Sequence, residues 1–208
     1  MLKNDKELPV MLPEYFIYIG TLISFIGGLS YVRLTLQGKV QPNKLSWLLI
    51  GIATMIAFFA AISEVAGKQA LLSFIVGFNP LMVFAASFVN KKAYWKLTKF
   101  DYLCGIFSIF AIVAWLLSGN GNQAIALSIL ADISAALPIF KKSYTHPLSE
   151  SYVVFLFGIV NAVFVLLTIT NWAFATYAFP LYILIFNVLL VATIVGRRKA
   201  LNLSRKTA

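Results

Sequence analysis

Seven apolar runs, each close to the length of a membrane-spanning helix, follow one another along this chain of 208 residues. A helix rises about 1.5 Å per residue, so about 20 apolar residues cross the roughly 30 Å hydrocarbon core of a bilayer. The runs cover residues 15–36, 45–66, 69–89, 102–118, 124–140, 152–170 and 176–196. The sequence therefore predicts an all-α integral membrane protein with seven transmembrane helices.

The composition agrees with a membrane environment. Hydrophobic residues make up 61% of the chain and charged residues 12%, against about half and about a quarter in soluble domains. A net charge of +10 would favour nucleic acid on a soluble domain. Here the cations lie in short connections between apolar runs, so no nucleic-acid partner is predicted.

The sequence holds one cysteine, Cys104, and one histidine, His146, which gives no disulfide framework and no metal cluster. We therefore predict neither a metal nor a cofactor.

The lysines and arginines predict the orientation of the helices. With seven spans, the N-terminal segment and the second, fourth and sixth connections hold three of the 17 cations, and the other side holds 14. Short loops rich in lysine and arginine stay in the cytoplasm. The chain is therefore predicted to lie in the cell (plasma) membrane, with residues 1–14 extracytoplasmic. Residues 197–208 form a basic cytoplasmic tail suited to anionic lipid.

The two halves of the chain are similar, which predicts an internal repeat. Placing Pro42 over Pro147, 105 residues apart, aligns two short basic connections. A second match places the prolines of FNPL and FPL, Pro80 and Pro180, 100 residues apart. Two three-helix units, joined by a linker helix, would then enter the membrane in the same direction as a parallel 3+1+3 repeat. The predicted segments are residues 15–89 and 122–196 for the units and 90–121 for the loop and linker helix.

The connection after the fifth run carries a short motif. Pro138 is followed by Lys141-Lys142-Ser143 and by Ser149-Glu150-Ser151, and Ile139 follows the proline directly. The first half has Val32-Arg33 before its connection and then these matching residues: Lys39, Pro42, Asn43, Ser46 and Trp47. The chain thus resembles the SWEET sugar transporters and the wider PQ-loop (MtN3-like) superfamily, as a bacterial-type seven-span member. Both copies lack the glutamine of the family's Pro-Gln pair, and the first also lacks the proline. The resemblance implies the 3+1+3 fold and sugar transport.

Asp132 lies midway along the fifth run, where an ionisable group is costly and usually faces the interior of a helix bundle. Ala135 and Ala136 share its helix face, and small residues let another helix approach. Two roles remain open for Asp132: a solute-binding or proton-coupling carboxyl group, or a structural group that hydrogen-bonds a neighbouring helix. Two other carboxylates, Asp101 and Glu150, lie at predicted cytoplasmic helix starts, and N-terminal capping explains the Ser149-Glu150 pair without a substrate.

Three asparagines lie near mid-span: Asn79, Asn161 and Asn187. A side-chain amide offers two donors and an acceptor, which suit the hydroxyls of a sugar, although a single mid-helix amide more often joins two helices. The resemblance implies that asparagines on the two third helices contact the substrate, and Asn79 and Asn187 resemble that pair. We therefore predict Asn79, Asn187, Asn161 and Asp132 as solute-binding residues.

Three prolines, Pro80, Pro138 and Pro180, interrupt the predicted helices. A proline inside a helix removes a hydrogen bond and produces a kink or a hinge, although static kinks are common in membrane helices. The first run has Gly27 and Gly28 in place of a proline, and glycine gives the backbone similar freedom. We predict these five residues as hinge or gate positions.

The polar groups inside the runs predict a transporter for small neutral or nearly neutral solutes. The SWEET resemblance implies sugars, and the departures from its motif leave amino acids or nucleosides open. The transporter would work by alternating access around a midplane site between the two repeats. The alternative is a non-transporting membrane receptor or accessory subunit that uses the same bundle to hold a partner. The sequence contains no evident nucleophile–base pair, metal cluster or phosphate-binding glycine loop, so an enzyme is not predicted. Proton coupling and a homo-oligomer remain open.

Overall fold

The computed structural model describes residues 12–63, 68, 70–118 and 121–203, which form seven α-helices, one short 3-10 helix and no β-strand. Residues 1–11 of the predicted extracytoplasmic segment and residues 204–208 of the predicted tail lie outside the described residues. So do residues 64–67 and 69, between the second and third helices, and residues 119–120. The all-α prediction is confirmed for the described part of the chain.

Each predicted apolar run corresponds to one helix. The helices are α1 (Tyr15–Leu36), α2 (Lys44–Ser63), α3 (Ala70–Ala86), α4 (Lys99–Ser118), α5 (Gly121–Thr145), α6 (Val153–Leu167) and α7 (Phe174–Ala200), with the 3-10 helix at Pro147–Ser149. The largest difference from prediction is in α5, which continues through Pro138 and ends five residues beyond the predicted run. The proline therefore does not end this helix.

Several helices have the length and composition of membrane spans. Four segments are long and apolar enough to cross a membrane: Tyr15–Leu36, Lys99–Leu117, Asn122–Thr145 and Phe174–Ala200. The other three helices contain shorter apolar segments: Lys44–Phe59, Ala70–Ala86 and Val153–Leu167. Large apolar side chains such as Phe107 and Leu117 on α4 are exposed, as expected for a surface that contacts lipid tails. These features indicate a membrane protein.

Side-chain caps join the starts of α2 and α4. Asp101 accepts hydrogen bonds from the backbone N–H and the hydroxyl of Thr98, at 2.5 and 2.6 Å, which satisfies a donor that the helix leaves unpaired. Asn43 accepts a hydrogen bond from the N–H of Ser46, and its amide donates to Asp101 at 2.7 Å. Asp101 therefore caps the start of α4, and the same carboxylate connects two helices.

Six helices close into a ring, and α4 packs outside it. Around the ring the contacts run from α1 to α3, α2, α5, α7, α6 and back to α1, while α4 packs on α5 and α2. In each group of three, α1–α3 and α5–α7, the third helix lies between the other two. The two groups meet where α1 packs against α6 and where α2 packs against α5.

Two apolar clusters inside the ring show how the helices are directed. The first cluster is called the opposite-end cluster because it lies toward the end of the bundle away from Lys142. It joins early residues of α1, α3 and α7 to late residues of α2 and α6: Ile17, Ala57, Leu72, Ala162, Val165, Phe179 and Ile183. The basic-end cluster lies toward the end of the bundle that holds Lys142, Arg197 and Arg198. It joins late residues of α1, α3, α5 and α7 and one residue of the connection after α1 to early residues of α2 and α6: Tyr31, Val40, Trp47, Leu49, Ile50, Val83, Ala135, Ala136, Ile139, Phe155, Leu190 and Ile194. Helices α1, α3, α5 and α7 therefore run in one direction, and α2 and α6 run in the other.

Glycines permit close contacts along α1. The helix continues without a break through Gly27 and Gly28, which are both buried. A Cβ at Gly27 would lie 2.7 Å from a ring carbon of Phe157 on α6, and a Cβ at Gly28 would lie 2.2 Å from the side chain of Asn79 on α3. The structure thus gives both glycines a packing role, and their hinge role stays a prediction.

Replacing Gly27 by alanine is expected to destabilise the protein by about 1–3 kcal/mol, because α1 and α6 must move apart to admit the methyl group. Gly196→Ala is the matched control, since no neighbour among the described residues lies within 4 Å of a Cβ there. Alanine at that helical position should be neutral or stabilising by roughly 0.5–1 kcal/mol. The thermal unfolding midpoint of the purified protein in detergent measures both effects. Equal midpoints would contradict the close packing of α1 against α6.

Candidate functional site

An internal cavity of about 70 Å³ lies between the ring helices, with room for a few water molecules. Every ring helix contributes to its lining, which consists of Ser24, Trp47, Ile50, Val76, Asn79, Pro80, Asp132, Ala136, Ile139, Val154, Phe155, Gly158, Ile183, Phe186 and Asn187. Most of these residues are apolar, and only four have a polar side chain that is not aromatic. A mainly apolar cavity with a few polar groups is the usual form of a small-molecule site.

Asn79 lines the cavity from α3 and is oriented by α1. Its Nδ2 donates a hydrogen bond to the backbone carbonyl of Ser24 at 3.0 Å. Its Oδ1 is buried and accepts no hydrogen bond from the described residues. The absence of a side chain at Gly28 leaves the space that this amide occupies. The amide is therefore held in place by one of its two polar atoms.

Asp132 lines the cavity from α5, together with Ala136 and Ile139 of the same helix face. Its Oδ2 accepts a hydrogen bond from the hydroxyl of Tyr182 on α7. Its Oδ1 is buried and has no hydrogen-bond partner within the described ranges. One oxygen thus has the structural role of joining two helices, and the other remains for a proton or a solute. Tyr182 was not predicted, since it lies 50 residues away in the chain.

Asn187 lines the cavity from α7, whereas Asn161 lies elsewhere. A Cβ at Gly158 would be 2.5 Å from the Nδ2 of Asn187, so this glycine allows the amide to reach its position. Asn161 is fully buried and packs against Gly20 of α1, outside the cavity lining. The structure therefore brings together Asn79, Asn187 and Asp132 and separates Asn161 from them. Solute contact by any of the four stays a prediction.

The three prolines occupy different positions relative to the cavity. Pro80 lines it, next to Asn79, while Pro138 and Pro180 lie within α5 and α7 and outside its lining. The carbonyl of Val76, four residues before Pro80, loses its usual helical donor because proline has no N–H. Each helix continues through its proline, so the hinge roles stay predictions.

Four pairs of lining residues are 108 positions apart in the chain. The pairs are Ser24 and Asp132, Trp47 and Phe155, Ile50 and Gly158, and Asn79 and Asn187. Each pair lies on corresponding helices of the two three-helix groups. Burial follows the same spacing, because every buried residue of α1 has a buried residue of α5 108 positions later. The α1 residues are Ile17, Gly20, Ser24, Gly27, Gly28, Tyr31 and Thr35.

This register differs from the two sequence alignments. Matching Pro42 with Pro147 gives 105 residues, and matching Pro80 with Pro180 gives 100. In the structure Pro80 lines the cavity and Pro180 does not, so these two prolines are not equivalent. The two sequence alignments matched prolines, whereas the 108-residue spacing matches buried residues of the helices. At 108 residues, Asn79 and Asn187 occupy equivalent positions.

A second polar cluster, the Lys142 cluster, lies at the basic end and consists of Lys142, Glu150, Tyr31 and Gln41. Lys142 and Glu150 are 1% and 0% exposed and form an ion pair of 2.5 Å. Glu150 also accepts a hydrogen bond from the Tyr31 hydroxyl at 2.5 Å, and Lys142 donates one to the Gln41 carbonyl. Since Tyr31 and Gln41 belong to the first half of the chain, the cluster connects the two three-helix groups.

Sequence reasoning missed this cluster. The capping role predicted for Glu150 is not observed: Tyr152 is the N-cap of α6, and the side chain that accepts from its first turn is Ser151, whose Oγ accepts from the Val153 N–H at 3.4 Å. Lys142 is buried, whereas Lys141 is exposed and lies 4.4 Å from the ring of Phe100. Adjacent residues of a helix point about 100° apart, so only one of two neighbouring lysines turns inward. This angular spacing was the signal from which one buried lysine of the pair could have been predicted.

Comparison with known proteins adds no relative to this picture: no protein-family model, characterised protein or solved structure matches the chain. The SWEET and PQ-loop resemblance therefore stays a prediction. In the ranges that the structure describes, no three His, Cys, Asp or Glu side chains group as a metal site. The cavity and the Lys142 cluster are the features from which function is inferred.

Lys142→Met is expected to destabilise the protein by about 3–5 kcal/mol, because Glu150 would keep a buried charge without its ion pair. The double variant Lys142→Met/Glu150→Gln removes both charges, leaves an acceptor for Tyr31 and should recover most of that loss. Lys68→Met is the control at an exposed ion pair with Glu14, where the change should stay below about 1 kcal/mol. Thermal unfolding midpoints measure all three variants. A double variant no more stable than Lys142→Met would contradict the assigned pairing.

Proposed function

We propose that this chain is a small-solute transmembrane transporter. Seven helices span the cell membrane as two parallel three-helix units, α1–α3 and α5–α7, joined by α4. The solute binds at the midplane cavity, which opens to the two sides in turn as the units rock. Sugars or similar small neutral solutes are the cargo that the SWEET and PQ-loop resemblance implies. Catalysis has no part in the proposal, and a homo-oligomer is compatible with it.

The observation that carries the proposal is the cavity built from equivalent positions of the two units. Residues 108 apart, such as Asn79 and Asn187, meet at one place between the units. A site on the axis that relates two repeats can be reached from either side by rocking one repeat against the other. A purely structural bundle has no need to place polar groups around a cavity at its centre.

The helix contacts support the repeat. Exchanging α1, α2 and α3 for α5, α6 and α7 turns the contact of α1 with α6 into that of α5 with α2, and both are present. Within each unit the third helix lies between the other two. α4 contributes to neither unit's part of the ring, as expected for a linker helix.

The position of the cations supports the proposed orientation. Lys142, Arg197 and Arg198 lie at the basic end, where Arg197 stacks on Tyr144 and Lys44 lies over Phe88. Cations with aromatic neighbours are typical of the region between lipid tails and water. With this end in the cytoplasm, the chain would place its N-terminus outside the cell.

Counterflow into liposomes containing the purified protein tests transport. Sugars, amino acids and nucleosides are offered as labelled solutes, and uptake of one class is expected. Asn79→Ala and Asn187→Ala should each lower the initial rate by about tenfold, the effect of one lost hydrogen bond in a buried site. Thr193→Ala is the control, because its hydroxyl bonds only within α7 in the described structure and is exposed; it should transport normally.

Absence of uptake for every solute, from protein with a cooperative unfolding transition, would contradict the transporter. It would favour the non-transporting receptor or accessory subunit that holds a partner.

Proton coupling through Asp132 has a separate test. If this carboxyl group carries a proton during the cycle, Asp132→Asn should transport at a rate that no longer depends on an imposed pH gradient. The measurement is counterflow at two external pH values with wild type, Asp132→Asn and Tyr182→Phe, the last of which keeps the carboxyl group but removes its donor. Transport by Asp132→Asn with an unchanged pH dependence would exclude coupling at this residue.

A further inference from the structure

The cavity has more unsatisfied hydrogen-bond acceptors than donors. Asp132 Oδ1 and Asn79 Oδ1 are buried acceptors without a partner in the described chain, and Trp47 Nε1 is the one such donor on a lining residue. Buried polar atoms usually find partners, and each exception needs an explanation. A solute that supplies several N–H donors and at least one acceptor oxygen would satisfy all three atoms.

The charge of the cavity is also uncompensated. Among the described lining residues Asp132 is the only ionisable one, and none is Lys, Arg or His. Lys142 on the same helix is paired with Glu150. A buried carboxylate without a nearby cation is strongly unfavourable. It requires either a proton or a cationic group that arrives with the solute.

The apolar walls are compatible with a cation. Trp47 and Phe155 line the cavity with ring centroids 6.3 Å apart, and Phe186 lines it from α7. The faces of aromatic rings attract ammonium groups, most strongly when both are removed from water. An anionic solute would find donors that carry no charge, including the Trp47 N–H, the Asn187 amide and the Ser24 hydroxyl, and it would be repelled by an ionised Asp132.

We infer that the solute is a small hydroxylated amine, such as an amino alcohol or an amino sugar. Its ammonium group donates to Asp132 Oδ1 and Asn79 Oδ1, and its hydroxyl oxygens accept from Trp47 and Asn187. This inference rests on the proposed transport function and narrows the cargo from neutral sugars to their amine-bearing counterparts. A neutral hydroxyl in the same place would require Asp132 to take up a proton instead.

Two matched pairs of probes test the inference by calorimetric binding to the purified protein in lipid nanodiscs. Ethanolamine is compared with ethylene glycol, and glucosamine with glucose, so that each pair differs by an ammonium in place of a hydroxyl. The amine of each pair is expected to bind about tenfold tighter or more, since a hydrogen bond between charged groups is stronger than a neutral one. The first pair suits the small cavity of this structure, and the second requires it to widen.

Asp132→Asn should reduce the preference for the amine to about twofold or less. Thr193→Ala should leave the preference unchanged, because its hydroxyl bonds within α7 to the Leu189 carbonyl and Thr193 does not line the cavity. Wild-type protein alone already decides the question if the asparagine variant does not fold. Equal affinities within each pair, no binding of either amine, or a preference that survives in folded Asp132→Asn would overturn the inference.

Counterflow with the same four compounds separates this inference from the transport proposal. Uptake of glucose without preference for glucosamine would retain the transporter and reject the amine. Binding of the amines without uptake of any compound would retain the amine site and reject transport.

Discussion

Every polar side chain buried in this bundle needs a partner inside the protein, because lipid tails offer neither donors nor acceptors. The structure meets that need in two different ways. At the basic end, Lys142 and Glu150 satisfy each other, and Tyr31 and Gln41 complete the arrangement. In the cavity, Asp132 has a donor for only one of its oxygens among the described residues. The first arrangement stabilises the fold, and the second leaves an interaction that a solute can complete.

The two halves of the chain bury matching helix positions but differ in the polar and charged residues that they carry. At the 108-residue spacing, buried residues of α1 fall on buried residues of α5, yet Ser24 corresponds to Asp132. Lys142 and Glu150 likewise correspond to Leu34 and Pro42. Residues aligned at this spacing lie around the cavity, while the buried charged residues described in the two three-helix groups and their connections, Asp132, Lys142 and Glu150, all lie in the second half. Whether a helix face is buried depends on the size of its side chains. The two halves can therefore bury the same positions even though their polar residues differ.

Local signals in the sequence predicted what depends on local structure. The seven helices follow from runs of apolar residues, and the positions of Asp132, Asn79 and Asn187 follow from their polarity within those runs. The partners of these residues could not be predicted, because contacts such as that of Tyr182 with Asp132 join residues far apart in the chain. Asn161 shows why polarity alone does not identify a cavity residue. Its polarity and depth resemble those of Asn187, but its helix face packs against Gly20. Only the packing of the ring separates the two.

In the proposed cycle, opening the basic end does not require the ion pair to separate. Lys142 and Glu150 both belong to the second unit, and their hydrogen bonds to the first include those with the Tyr31 hydroxyl and the Gln41 carbonyl. Rocking would exchange these two hydrogen bonds, each worth about 1.5–3 kcal/mol when a charged group takes part, for bonds to water. Keeping the pair together avoids a further cost of about 3–5 kcal/mol, the effect of leaving one buried charge without its partner. Water entering at this end would then hydrate an intact pair. The Lys142 cluster therefore suits a gate that moves with one unit, held closed by neutral groups of the other.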